Sequence, residues 1–92
     1  MLYLVHMVVS IPDGLSPELA EKIKADEKAY AQALQQKGQL RDLWRVVGEY
    51  ANYSIFDVAS NDELHTILSG LPLRPYMTLK VTALAKHPSS IK

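Results

Sequence analysis

A carboxylate on the apolar side of an amphipathic helix can take up and return a proton, and Glu27 occupies that position in this chain. Leu19, Ala20, Ile23, Tyr30, Ala31 and Leu34 recur at helical spacing between Ser16 and Lys37. At about 100° per residue, Glu27 projects at about 80° on a wheel whose apolar arc runs to roughly 120° at Ala31. The acid is therefore expected to share an interior with Ile23 and Leu34. A buried, ionised carboxylate costs several kcal/mol unless it is paired. Burial also lifts its pKa toward the range of a working proton-transfer base.

Three polar residues are expected to face Glu27 from strands, namely Arg45, Asn52 and Ser54. Two roles fit the acid. It can pair with Arg45 or Lys24 and brace helix to sheet, because structural ion pairs also perturb pKa values. Alternatively, it forms one wall of a small pocket, with a cation and hydrogen-bond donors on the other. Lys24, one turn before Glu27, can lower the acid's pKa, hold a substrate carboxylate, or make an i,i+3 surface pair. His6 reads as a strand-surface or interface residue, and His65 as solvent-facing or at a helix edge. His87 lies in the tail and matters only if that tail folds over a pocket, such as one on a neighbouring subunit. Trp44 and the tyrosines fit core or interface positions. The remaining charges from Lys22 to Lys28 read as a solvated helix face. The chain has no cysteine, so thiolate, disulfide and zinc-thiolate chemistry are excluded. No metal-ligand spacing, phosphate-binding glycine loop or nucleophile elbow occurs.

The elements that must position these groups follow from pattern. Leu2 to Val9 reads as a strand that ends in the turn Ser10-Ile11-Pro12-Asp13-Gly14. Ser16 caps the first helix, with Pro17 at its first position and Glu18 near its positive end, and Gly38 closes it. Strands are expected over Leu40 to Val47 and Ala51 to Val58, joined by Gly48-Glu49-Tyr50. Ser60 and Glu63 form a capping box for a second helix with the stripe Leu64, Ile67, Leu68 and Leu71, which Gly70 and Pro72 end. Tyr76 to Thr82 reads as the last strand, and a tail runs from about residue 84 to residue 92.

The order βαββαβ predicts a ferredoxin-like α+β plait, a four-stranded antiparallel sheet with both helices on one face. Alternation puts Tyr3, Val5, Met7 and Val9 on one side of the first strand and Leu4, His6 and Val8 on the other. A hairpin turning on Glu49-Tyr50 pairs Arg45 with Ser54, Val47 with Asn52 and Leu43 with Phe56. That set is expected to face the helices with Met77, Leu79 and Val81. The opposite side then carries Leu4, Val8, Trp44, Val46, Tyr53 and Ile55, which is too apolar for water and predicts a subunit interface.

Ninety-two residues make a single domain, small enough that self-association helps cover its apolar surface. Formal charge is zero and no basic cluster is present, which argues against nucleic acid and anionic membrane as partners. No apolar run approaches about 18 residues and no signal-peptide pattern opens the chain, so a cytoplasmic protein is expected.

Several strings together resemble the muconolactone delta-isomerase family. They are Lys24-Ala25-Asp26-Glu27-Lys28, Leu43-Trp44-Arg45, Tyr50-Ala51-Asn52-Tyr53-Ser54, Phe56-Asp57-Val58, Leu71-Pro72-Leu73, Pro75-Tyr76-Met77 and His87-Pro88-Ser89-Ser90-Ile91. The similarity runs from Met1 to the tail. It implies a small bacterial cytoplasmic enzyme of catechol breakdown through the β-ketoadipate pathway. It further implies a homo-oligomer (a decamer) with no metal or organic cofactor, the tail packing on a neighbouring subunit. Arg74 departs from the bulky apolar residue expected between Leu73 and Pro75. The substrate implied is muconolactone, and the roles implied are Glu27 as proton shuttle and Arg45 or Lys24 as anchor of the acetate arm. Asn52 and Ser54, or the other cation, would stabilise the oxyanion. A related group that expels chloride from chlorinated muconolactones, and a non-catalytic ligand-binding plait, are the alternatives.

Overall fold

A computed structural model describes all 92 residues. In chain order the elements are β1 (Leu2–Val9), α1 (Pro17–Gln36), β2 (Leu40–Arg45), β3 (Ala51–Asp57), α2 (Asn61–Ser69), a single 3-10 turn (Arg74–Tyr76) and β4 (Met77–Leu84). The strands form one antiparallel sheet in the order β2-β3-β1-β4, and this is the ferredoxin-like plait.

Period-two alternation decides which side of the sheet is covered. Tyr3, Val5, Met7 and Val9 of β1 are all buried, and they meet Phe56, Leu34, Leu64, Ile67, Leu68, Leu71 and Leu73 in one core. The other side remains open. Trp44 is 68% exposed, Tyr53 42% and Val8 40%, with the His6 ring stacked on Tyr53 at 4.5 Å between centroids.

Local chemistry sets the element ends. The Ser16 hydroxyl accepts from the Leu19 amide, and Gly38 takes φ +77° just past the α1 C-cap. At α2, Ser60 accepts from the Glu63 amide. The Glu63 carboxylate returns to the Ala59 amide at 2.7 Å, one residue before the Ser60 amide that a standard capping box uses.

Four expectations are corrected. The β2–β3 hairpin pairs Arg45 with Asn52, Leu43 with Ser54 and Leu40 with Phe56, rather than Arg45 with Ser54. Gly48, at φ +82°, moves the pivot one residue earlier, and the resulting two-residue slip keeps Leu43 and Arg45 in their predicted alternation. A further irregularity between Leu40 and Asp42 turns Leu40 into the core opposite Phe56, and Val47, expected to face the helices, is 95% exposed. β2 ends at Arg45 and β3 at Asp57, short of Val47 and Val58, while β4 starts at Met77 and runs to Leu84. Finally, α1 is less deeply set than its pattern suggests. Leu34 is its one buried residue, and Leu19 is 44% exposed. Twenty residues of helix span about 30 Å. Six residues of strand span about 20 Å, so α1 is longer than the strand that follows it.

Candidate active site

A cleft lies between α1 and the sheet, and Glu27 is on its wall. The cavity measures about 60 Å³ and is lined by Glu27, Ala31 and Leu34 of α1, Met7 of β1, Leu40 and Leu43 of β2, Asn52, Ser54 and Phe56 of β3, and Leu71. Leu43 is 42% exposed and stands at the mouth.

Glu27 is half-buried, and no cation lies within ion-pairing distance of it. Its Oε1 accepts one hydrogen bond, 2.9 Å from the Leu73 amide. Burial pushes the carboxyl's pKa above its usual value of 4.5, and the Leu73 amide pulls the other way without cancelling the shift. The supply of that amide follows from the sequence Leu71-Pro72-Leu73-Arg74-Pro75-Tyr76. Pro72 and Pro75 have no N–H to give. The Arg74 amide bonds the Leu71 carbonyl and the Tyr76 amide the Leu73 carbonyl, each at 2.9 Å. Leu73 therefore has the one amide of the turn from Pro72 to Tyr76 left to reach across to α1.

Opposite the acid, Ser54 is fully buried and its hydroxyl donates to Asn52 Oδ1 at 2.8 Å. With the serine proton engaged, the donor that this pair offers the cleft is the Asn52 amide group.

The two predicted cations are elsewhere. Lys24 Nζ is 3.5 Å from Glu21 on the same helix. Arg45 is exposed, donates to the Ala51 carbonyl at 3.4 Å, and lies 5.4 Å from the centre of the Tyr50 ring. Neither pairs with Glu27, so the brace between helix and sheet is not an ion pair. Arg74 turns back to the Met77 carbonyl at 3.1 Å. Of the sequence candidates, the structure thus brings Glu27, Asn52 and Ser54 together at one cleft, and leaves Lys24 and Arg45 outside its lining. Sequence reasoning misses the Leu73 amide. The signal available was the pair of prolines around it. His65 is exposed on α2, and His87 caps its own tail by accepting from the Ser89 amide at 3.0 Å.

Chemically, the cleft holds an unpaired carboxylate of raised pKa facing neutral donors across an apolar floor. It is suited to moving a proton at a carbon acidified by a carbonyl. No group of three or more His, Cys, Asp or Glu side chains is arranged to hold a metal ion, and no helix is long and apolar enough to cross a membrane.

Comparison with known proteins agrees with this chemistry. The family model described as muconolactone delta-isomerase matches residues 1–90. The muconolactone delta-isomerase of Cupriavidus pinatubonensis is 66% identical over the whole of both chains. The muconolactone delta-isomerase 1 of Acinetobacter lwoffii is 62% identical, covering all of this chain and 96% of that one. A crystal structure of a muconolactone isomerase superposes with a TM-score of 0.95 at 52% identity, over 100% of this chain and 96% of the other. A dehydrochlorinase from Burkholderia phenoliruptrix, at TM-score 0.65 and 19% identity over 95% and 96% of the two chains, shares the fold.

Proposed function

The chain belongs to the muconolactone delta-isomerase family, and from that premise we propose that it converts muconolactone to 3-oxoadipate enol-lactone with Glu27 as the single base. The ring double bond moves when a proton leaves C4 and one returns at C2, through a dienolate whose negative charge sits on the lactone carbonyl oxygen. One carboxylate reaching both carbons from the same ring face serves both transfers. The supporting observation is that Glu27 has no cationic partner and one amide contact, so it can ionise and reprotonate without breaking an ion pair.

The Asn52 amide group, held by Ser54, faces the acid and is the donor proposed for the dienolate oxygen. Arg45 is the proposed anchor for the acetate arm. Its guanidinium has no carboxylate partner, whereas Lys24 already has Glu21.

The cleft of one chain is far below the roughly 300 Å³ at which small-molecule pockets begin. The lactone is therefore proposed to sit at the mouth, by Leu43, with a second subunit covering it. The open apolar face around Trp44 and Tyr53 supports a homo-oligomer, for which the family resemblance suggests a decamer with the tail from about residue 84 to residue 92 packed on a neighbour. A cytoplasmic setting fits a pathway of small acids.

The deciding assay follows the absorbance of muconolactone with purified protein. Conversion with turnover supports the proposal, and no conversion removes it. Chloride release from 5-chloromuconolactone without turnover of muconolactone would move the chain to dehalogenation.

A further inference from the structure

Glu27 is one of two side chains by which α1 grips the connection between α2 and β4. Tyr30, one turn later on the same helix face, donates its hydroxyl proton to the Ile67 carbonyl at 2.7 Å. The grips have opposite polarity. Tyr30 gives a proton to a carbonyl in the last turn of α2, and Glu27 receives one from the Leu73 amide six residues further on. Between them lies Gly70, the C-cap of α2. A Cβ at Gly70 would be 2.6 Å from the Tyr30 hydroxyl oxygen and 3.4 Å from the ring carbon bearing it. Only glycine leaves room for this tyrosine to reach its carbonyl.

We propose that Tyr30 is a positioning residue for the proton-transfer base: its hydroxyl fastens the end of α2 so that the Leu73 amide stays aimed at Glu27 throughout the catalytic cycle. This rests on the assignment of Glu27 as the base. The need for a second grip comes from the chemistry. When Glu27 takes the substrate proton it becomes neutral and a weaker acceptor, so its hold on the Leu73 amide slackens halfway through each turnover. The Tyr30 bond does not depend on that proton. Burial, with the nearby Glu27 charge adding to it, holds the phenol pKa above its usual 10.0, so Tyr30 stays a donor through any working pH. Other charges around the acid are engaged or distant. Lys24 meets Glu21, Lys28 is exposed on α1, Arg45 reaches the Ala51 carbonyl from the β2–β3 side, and Arg74 bonds the Met77 carbonyl. β1 and β3 present Met7, Asn52, Ser54 and Phe56, none of them charged.

The test is Tyr30→Phe in the intact protein. Loss of the hydroxyl leaves the Ile67 carbonyl bonded to the Gly70 amide at 3.2 Å, so folding should survive. Carbon-13 NMR of labelled glutamate carboxyls, assigned with Glu27→Gln, follows the Glu27 titration without relying on activity. Expected is an upward move of its midpoint, with kcat down about fivefold and KM within about twofold of the parent. Gly70→Ala should produce the same upward move by displacing the hydroxyl. Tyr30→Phe combined with Gly70→Ala should behave like Tyr30→Phe alone, since a Cβ then meets the ring carbon at 3.4 Å and the Ile67 carbonyl oxygen at 3.6 Å, both ordinary contacts. An unmoved Glu27 midpoint with unchanged kcat in Tyr30→Phe overturns the proposal. So does a Gly70→Ala effect that simply adds to that of Tyr30→Phe. If Glu27→Gln keeps its turnover while Tyr30→Phe still moves the midpoint, it is the assignment of the base that fails, and the positioning contact stands.

Discussion

Two glutamates at two places in this molecule show what surroundings do to one side chain. Glu63 is in the first turn of α2, where it accepts from the Ala59 amide at 2.7 Å and from the Gln39 side-chain amide at 2.8 Å. Those bonds, the Ala59 amide first, hold its carboxyl below the usual range. Glu27 is in the middle of α1, half-buried against apolar side chains with one amide donor, and its carboxyl is pushed up. Glu63 is built to stay ionised and fasten a helix end. Glu27, in the role proposed for it, changes its proton. The number of donors and the access of water decide between a cap and a base, and both are set by backbone geometry.

The largest effect that would break or sharpen this contrast is on turnover. Glu27→Gln keeps an oxygen for the Leu73 amide but cannot accept a proton, so kcat should fall roughly 100-fold or more with the fold intact. Glu63→Gln should leave kcat within about twofold. Steady-state rates on muconolactone read both, and equal losses in the two variants would erase the distinction.

A smaller effect is expected at Arg45. If it anchors the acetate arm, Arg45→Met should raise KM about tenfold with little change in kcat. A fall in kcat at constant KM would instead place Arg45 on the dienolate oxygen.

The smallest effect is thermodynamic, and it has opposite signs at the two acids. A carboxyl whose pKa is raised on folding loses stability as pH climbs from its unfolded value through its folded one. Glu27→Gln should therefore raise Tm at pH 7, and the gain should vanish as pH falls toward 4.5. A carboxyl whose pKa is lowered contributes stability above its unfolded value and loses it as pH falls through the folded one. Glu63→Gln should lower Tm at pH 7, with the deficit closing below pH 4.5. Thermal melts across that range check both signs.

Much of this contrast was legible in the sequence, though not evenly. Ser60 followed by Glu63 announces a helix start, and a lone acid among Ile23, Ala31 and Leu34 announces a misfit. Both depend on side-chain spacing along one element, which local periodicity records. The hairpin faces were legible from Leu43 to Arg45, because the two-residue error in register preserves alternation there, whereas the irregularity between Leu40 and Asp42 was not. The Leu73 amide was not legible as Glu27's partner. A backbone donor carries no side-chain signature, and its reach to α1 depends on a turn some 46 residues away. The cations were misplaced for a related reason. Long side chains choose among several nearby acceptors, and Lys24 and Arg45 settle on Glu21 and the Ala51 carbonyl. The cleft carries no motif of its own, because its lining comes from α1, β1, β2, β3 and Leu71, brought together only by the fold.

The central claim, that Glu27 works as a base because it is half-buried and unpaired, is tested most directly by kcat/KM for muconolactone as a function of pH. The free enzyme's essential base sets the acid limb of that profile. The account predicts an acid limb whose midpoint lies above 4.5, with Glu27→Gln depressed across the whole range. A rate that stays flat down through pH 4.5, or a Glu27→Gln profile that retains the parent's limb and height, would contradict it.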